Sequence, residues 1–374
     1  MGTSGFRRGT GAWASAAAPS SAAAAAVKPM RRTFTMVMPP IFAAPMTGTV
    51  SHGEHAGNDA VRLLARARRA RMVRALRSTP LDTFMFRGSF TALVTPFKNG
   101  AVDEAAFAAI VEHQIKAGTH GLVPVGTTGE NPTLTGEERR RVVELCVEIS
   151  AGRVAVIAGT GTNATASTIE LQRHAKTVGA DAGLVVAPYY NKPSQDGIAA
   201  HFEAVANAVE LPVFVYNIPG RAIVDISLDT MARLATHPNV IGVKDATGDI
   251  ARVTRQRLAC GEGFIQLSGE DASALGYNAH GGAGAISVTS NVAPALCAQF
   301  QTACLEGRWD EARSLNDRLQ PLHEALFAAP SPAPSKYALS LLGLCEAEVR
   351  LPLLECPDPV KAKVRAAMEG CGLL

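Results

Sequence analysis

The feature that most constrains this chain is a recurring unit. From Phe90 onward, short apolar runs return at intervals of about 20–30 residues, each followed by a segment with apolar residues at spacings of three and four. Eight such runs can be read: Phe90–Thr95, Gly121–Gly126, Val154–Gly159, Gly183–Pro188, Pro212–Asn217, Val240–Lys244, Phe264–Ser268 and Gly284–Val288. The pieces between them, such as Asp103–Ala117, Gly136–Ser150 and Gln195–Val209, have helical periodicity. Runs apolar on both faces are what strands covered on both sides look like, so the sheet is expected to be parallel. Eight β-α units over roughly 210 residues match a (β/α)8 TIM barrel, whose active site lies at the C-terminal rim of the strands. A doubly wound open sheet is the competing architecture. It is disfavoured because no G-x-G-x-x-G or G-x-x-x-x-G-K-[ST] follows any of the runs.

After Glu306 the strand signals stop. Helical periodicity continues through Trp309–Leu326, Ser335–Leu342 and Pro359–Cys371, with Pro330, Pro332 and Pro334 between the first two. This predicts a three-helix C-terminal appendage over residues 308–374 behind a catalytic barrel over 84–307. Helices added to a complete barrel need a surface, either their own barrel or a neighbouring subunit. Residues 1–53 contain no Asp or Glu and are rich in Ala, Ser, Gly and Pro, which predicts disorder. Val61–Arg77 reads as a basic amphipathic helix. The extension 1–83 fits membrane-surface or targeting material, an organellar transit peptide, or an addition without function from a start assigned upstream; the last is the reading adopted, with a cytoplasmic location.

Composition narrows the function classes. Of 36 Lys/Arg and 33 Asp/Glu, residues 1–83 hold 12 and 3, leaving 24 basic and 30 acidic residues and a charge of −6 on the body. Nucleic-acid binding by that body has no electrostatic support. No run reaches the roughly 20 apolar residues of a membrane span. Seven cysteines lie scattered without a C-x-x-C or a paired Cys/His spacing, which argues against a zinc site and for a reducing compartment. Cys297 and Cys304, seven apart in a helical stretch, read as small buried hydrophobes. No metal or cofactor is expected.

The stretch Val240-Ile-Gly-Val-Lys244-Asp-Ala-Thr247 sets one lysine at the exit of an apolar strand. A free lysine has a pKa near ~10.4, so about one amine in two thousand is neutral at pH 7. Desolvation lowers that pKa at a cost in stability, which a Schiff-base nucleophile has a reason to bear. Other strand exits converge on the same rim if the barrel closes. Gly126-Thr-Thr-Gly-Glu130 offers hydroxyls and backbone N–H groups suited to a carboxylate. Pro188-Tyr-Tyr-Asn191 and Tyr216-Asn-Ile-Pro-Gly-Arg221 place three of the chain's five tyrosines at strand exits, where a phenol oriented by a hydroxyl such as Thr127 can shuttle protons. Arg221 supplies a planar fork for a carboxylate. Each residue also has an ordinary explanation: a surface lysine, a glycine turn capping a helix, an aromatic over the core edge, a surface ion pair. Neither G-x-S-x-G nor H-E-x-x-H occurs.

With these residues assembled, residues 84–374 resemble the 4-hydroxy-tetrahydrodipicolinate synthase (dihydrodipicolinate synthase) family along their whole length. The carriers are Gly126–Glu130 (G-T-T-G-E), Tyr216–Arg221 (Y-N-x-P-x-R) and Gly242–Gly248 (G-V-K-D-A-T-G). The resemblance implies a class I pyruvate aldolase mechanism, in which Lys244 forms an imine with pyruvate and the derived enamine adds to L-aspartate 4-semialdehyde before ring closure. It implies proton relay by Tyr216 with Thr127 and with Tyr190 from the adjacent subunit. Thr128 is implied to hold the pyruvate carboxylate and Arg221 that of the semialdehyde, with Gly269 and Ile286 lining the pyruvate pocket. A homotetramer, a dimer of dimers, is the usual assembly. Ala222 departs from the threonine common after the arginine.

The runner-up is a sugar-acid aldolase of the N-acetylneuraminate or 2-keto-3-deoxy type, a group that shares the barrel, lysine and tyrosine and generally lacks the arginine. A non-catalytic barrel is the reading from another class. In family members inhibited by lysine, acidic and histidine side chains meet the effector at the dimer interface with an asparagine and a tyrosine. Asn163 and Tyr189 match that pattern, whereas Gly136 and Arg139 replace histidines and Ser167 replaces a glutamate. Weak or no inhibition by lysine is therefore expected unless another acid, Glu130 or Glu170, substitutes.

Overall fold

In the computed structural model, residues 85–374 are described. The expectations for residues 1–53 and for a helix over Val61–Arg77 lie outside them.

Eight parallel strands close into a barrel: β1 (Gly88–Ala92), β2 (Gly121–Val123), β3 (Ala155–Gly159), β4 (Ala182–Val186), β5 (Val213–Asn217), β6 (Val240–Asp245), β7 (Ile265–Ser268) and β8 (Gly284–Ser287). The seam pairs Gly88 with Gly284. Only a glycine closes it, since a Cβ on Gly284 would fall 2.1 Å from the Gly88 carbonyl oxygen. The eight units expected from the apolar runs are all present, with the largest differences at the ends of the first two. β1 begins at Gly88 and stops before Leu93–Thr95, which are buried but continue as irregular chain. β2 ends at Val123, because Pro124 follows it and Val125 turns into the left-handed region at φ 57°.

The helices α1 (Glu104–Lys116), α2 (Gly136–Ser150), α3 (Thr165–Val178), α4 (Gln195–Ala208), α5 (Leu228–Ala235), α6 (Ala251–Cys260), α7 (Ala274–Ala279) and α8 (Pro294–Leu305) form the outer ring. Several start at side-chain caps: Asp103 for α1, Ser194 for α4, Ser227 for α5, and a reciprocal capping box of Thr135 and Glu138 for α2. Leu122, Val156, Val185, Val215 and Val243 pack outward under these helices, whereas Phe90, Val123, Ile157, Leu184, Phe214, Leu267 and Ile286 fill the barrel interior. Phe86, just before β1, sets its ring edge-on to Phe214 at 5.2 Å and stops the N-terminal mouth.

Three further helices follow: α9 (Trp309–Leu326), α10 (Ala333–Leu341) and α11 (Asp358–Gly370). They share one core with α8, in which Phe300, Cys304, Leu319, Leu322, Leu326, Val364 and Met368 are buried together. Their docking surface is therefore the chain's own barrel. Cys297 and Cys304 are buried on α8, as the periodicity predicts. α10 starts two residues earlier than expected because Pro334 occupies its first turn, where the missing N–H is no loss. An Asn99-Gly100 turn, with both φ positive, joins a small hairpin of Phe97–Lys98 and Ala101–Val102 after β1. Among the described residues no helix is long and apolar enough to cross a membrane.

Candidate active site

Alternation along β6 sends Lys244 and Asp245 to opposite faces. Asp245 turns outward, where its carboxylate accepts from the Thr247 N–H at 2.9 Å, the Thr247 hydroxyl at 2.7 Å and Gln256 Nε2 at 2.9 Å, with Arg252 Nε at 3.4 Å. That network pins the loop leaving β6 onto α6. Lys244 turns inward and is only 6% exposed. Its cross-strand partner is Tyr216 on β5, and Nζ stands 4.4 Å from the centre of that ring. Burial and an electron-rich ring face surround a primary amine at the rim where barrel enzymes react.

Gly269 follows β7 and donates its N–H to the Asp245 carbonyl at 2.7 Å. A Cβ there would stand 3.1 Å from Lys244 Cε, so the glycine leaves the space beside the amine's stem. Ile286 on β8 is buried in the same interior as Tyr216. Thr127 and Thr128 lie at the exit of β2, half-buried and buried, in a turn closed by Gly129 N–H to Gly126 C=O and Glu130 N–H to Thr127 C=O, both 3.1 Å. The lysine, Tyr216 and Gly269 are thus in direct proximity, and Ile286 and the two threonines occupy the same interior or rim.

Arg221 and Tyr190 stand apart. Arg221 rides the short helix Pro219–Ala222 after β5, exposed, and its guanidinium has no hydrogen bond or ion pair among the described residues. The loop beneath it is held firmly. Asn217 Nδ2 donates to Asp225 at 2.7 Å, Arg252 pairs with Asp225 at 3.0 Å and donates to the Ile226 carbonyl. Ala222 is buried against Met231 and Val215. Tyr190 is 89% exposed at φ 69°. Asn163 and Tyr189 are half-buried nearby, and Asn191 Nδ2 ties the two loops together by donating to the Asn163 carbonyl at 2.9 Å.

One residue departs from its sequence reading. Glu130 is no free acid: its carboxylate is fully buried, with Lys336 Nζ of α10 at 2.6 Å and the Arg350 N–H at 3.1 Å. Burial holds the Lys336 ammonium below its ordinary range, against the pull of Glu130. Removing one member of such a pair leaves an uncompensated buried charge, worth about 3–5 kcal/mol. Neither Lys336 nor Arg350 was visible as a site neighbour, since each lies more than two hundred residues from the turn it meets and in unremarkable helical or loop sequence. A separate cleft of about 250 Å³ between the end of α1 and α8–α9 is no rival, because its Arg308 already pairs with Glu306 and Glu311.

Fold and site define a class: (β/α)8 barrels that keep a buried lysine amine beside a tyrosine at the catalytic rim. Within it, this chain belongs to the dihydrodipicolinate synthetase family, whose sequence profile matches residues 85–370. It is 63% identical over 290 residues to the 4-hydroxy-tetrahydrodipicolinate synthase of Parvibaculum lavamentivorans, covering 78% of this chain and 100% of that one. The synthase of Rhizobium meliloti is 59% identical over 293 residues, with 78% and 100% covered. The crystal structure of dihydrodipicolinate synthase from Aquifex aeolicus superposes with a TM-score of 0.76 at 44% identity, covering 77% of this chain and 99% of that one. The chloride-inhibited enzyme from Acinetobacter baumannii, solved with pyruvate, gives 0.76 at 42% identity over 77% and 99%.

Proposed function

We propose that this chain is a lyase that condenses pyruvate with L-aspartate 4-semialdehyde to give 4-hydroxy-tetrahydrodipicolinate in lysine and diaminopimelate biosynthesis, through a Schiff base at Lys244. The observation that carries the reading is the amine itself, 6% exposed and 4.4 Å from the Tyr216 ring, in a chain 63% identical to a synthase of that reaction's name. Lys244 adds to the ketone carbon of pyruvate and water leaves as the imine forms. Loss of a methyl proton gives the enamine, whose carbon adds to the aldehyde. The amino group of the second substrate then attacks the imine carbon, closing the ring and releasing Lys244. Tyr216 moves the protons, with Thr127 as its hydroxyl partner and Tyr190 completing the relay.

Thr128 and the N–H groups of its turn hold the pyruvate carboxylate, and Gly269 and Ile286 shape the pocket around it. Arg221 takes the carboxylate of the semialdehyde; its unpaired guanidinium on a clamped loop supports this role and favours the synthase over a sugar-acid aldolase. Tyr190 acts in a neighbouring subunit, consistent with its exposure, within a cytoplasmic homotetramer built as a dimer of dimers. Borohydride reduction in the presence of pyruvate, read by intact mass, tests the reading. One reduced pyruvyl group is expected on the native chain and none on Lys244→Ala; a label that survives the substitution would refute it. Arg221→Ala should keep the label and lose roughly 2–4 kcal/mol of transition-state stabilisation with the semialdehyde.

A further inference from the structure

The Glu130–Lys336 pair lies outside the reacting groups, yet it grips the turn that carries Thr127 and Thr128. Val125 and Glu130 bracket that turn at φ 57° and 54°. A β-branched or long side chain rarely holds this conformation unless its surroundings over-determine it. Inside the turn are the two backbone hydrogen bonds already described, and the Thr95 hydroxyl donates to the Gly129 carbonyl at 2.8 Å. Asn131 Nδ2 donates to the Val125 carbonyl at 3.3 Å, and the Thr133 N–H and hydroxyl donate to the Glu130 carbonyl at 3.0 and 3.1 Å. These restraints are local; those on the Glu130 side chain come from the far end of the chain. Lys336 Nζ meets Oε1 at 2.6 Å, donates to the Glu348 carbonyl at 2.8 Å and stands 3.9 Å over the Phe97 ring. The Arg350 N–H donates to Oε2 at 3.1 Å, while its guanidinium lies 4.2 Å over the same ring and bonds the Glu138 carboxylate and the Thr133 and Gly100 carbonyls.

Both members of the pair have side chains with 0% exposure. A buried ion pair is a poor way to gain stability, since well-packed apolar residues of the same volume do as well. What it adds is direction: one oxygen to the ammonium and the other to a backbone N–H leave the carboxylate, and the backbone behind it, a single orientation.

We propose that Glu130 and Lys336 are positioning residues, through which the segment 336–350 fixes the backbone of the Thr127–Thr128 turn and thereby sets the hydroxyls that serve pyruvate. This rests on the reading of the site given under Proposed function. The pair touches neither substrate and acts through the turn alone.

The test uses the full chain and the double variant Glu130→Gln/Lys336→Met, neutral and of similar volume, so that no lone charge is buried. Two quantities are read beside the melting temperature: hydrogen exchange of the peptide spanning 125–133, and kcat/KM for pyruvate. The expected result is exchange at the Gly129 and Glu130 amides faster by about ten-fold, and kcat/KM for pyruvate lower by about ten-fold or more, with KM for pyruvate rising further than KM for the aldehyde. Should the double variant fail to fold, Glu130→Gln alone carries the same two measurements, because it keeps the side chain's volume and removes only the charge that meets Lys336. Native exchange in the turn overturns the proposal whatever the rate does. So does a loosened turn with native kcat/KM for pyruvate. If the native chain takes no pyruvate label under borohydride, the functional reading fails instead, and exchange in the turn still decides whether the pair holds it.

Discussion

Gly269→Ala is a one-carbon probe of how tightly the lysine is seated. The new Cβ would stand 2.8 Å from Ala246 Cβ, 3.1 Å from Lys244 Cε and 3.2 Å from the Asp245 carbonyl oxygen. Carbon atoms rest at about 3.5–4.0 Å, so the methyl falls short by roughly 0.7–1.2 Å at Ala246 and roughly 0.4–0.9 Å at Lys244. Ala246 cannot retreat, since its N–H is bonded to the Asn217 carbonyl at 2.9 Å, and Gly269 is tied to Asp245. The lysine stem is the flexible party and gives way. A displacement near ~1 Å of a reacting group costs up to about a hundred-fold in rate. Overpacking costs ~1–3 kcal/mol, which for a chain of this size lowers the melting temperature by roughly 2–10 °C. The assay is the rate at which pyruvate and borohydride label the variant, followed by intact mass well below its melting point. Labelling about ten- to a hundred-fold slower is expected. A native labelling rate in a protein whose melting temperature has dropped would refute the reasoning, because the methyl would then disturb the loop and not the amine.

Two further predictions concern charge. Arg350 holds the Glu138 carboxyl down to about 2, from an ordinary 4.5, by hydrogen bonds aided by the Thr135 N–H. Because the folded value is the lower one, this contribution is whole above pH 4.5 and drains away as the pH falls toward about 2. Urea melts of Glu138→Gln should therefore lose less stability across that window than the native chain, and equal slopes would contradict the assignment. Inhibition by lysine should be weak: Arg139 lies within electrostatic reach of Tyr189 where a dication would bind, Ser167 brings no charge, and Glu130 is spent on Lys336. Half-inhibition below about a millimolar, worth roughly 4 kcal/mol, would refute this in a steady-state assay.

The barrel was legible because a parallel strand buried on both faces leaves an unmistakable apolar run, and the caps at Asp103, Thr135 and Ser194 mark where each following helix starts. The ends were less so. Leu93–Thr95 are as apolar as any strand, yet the pairing β1 makes starts at Gly88 and Ser89, which carry no apolar signal. Lys244 and Tyr216 could be found because strand exits in a barrel converge whatever their separation along the chain, whereas Gly269 came from the family resemblance. No such rule reaches Lys336. In Ala-Pro-Ser-Lys-Tyr it looks like any solvated helical lysine, and only the tertiary structure reveals a carboxylate 2.6 Å away. Glu130, weighed as an acid able to meet a lysine effector, misled for the same reason, since the ammonium it meets lies 206 residues further on.

The separation of those partners also has a consequence in time. Glu130 leaves the ribosome 206 residues before Lys336, the counter-ion that it meets. At about 5–20 residues per second that is a wait of roughly 10–40 s. Throughout it the carboxylate has no counter-ion, and sealing it from water would be prohibitively expensive, so the exit of β2 must stay open and hydrated while the other strands are being made. A nascent chain carrying all eight strands and its lysine is then still unfinished at the mouth. Arrival of residues 336–350 supplies the missing ammonium and N–H, and on the positioning role proposed above the Thr127–Thr128 turn is set only then.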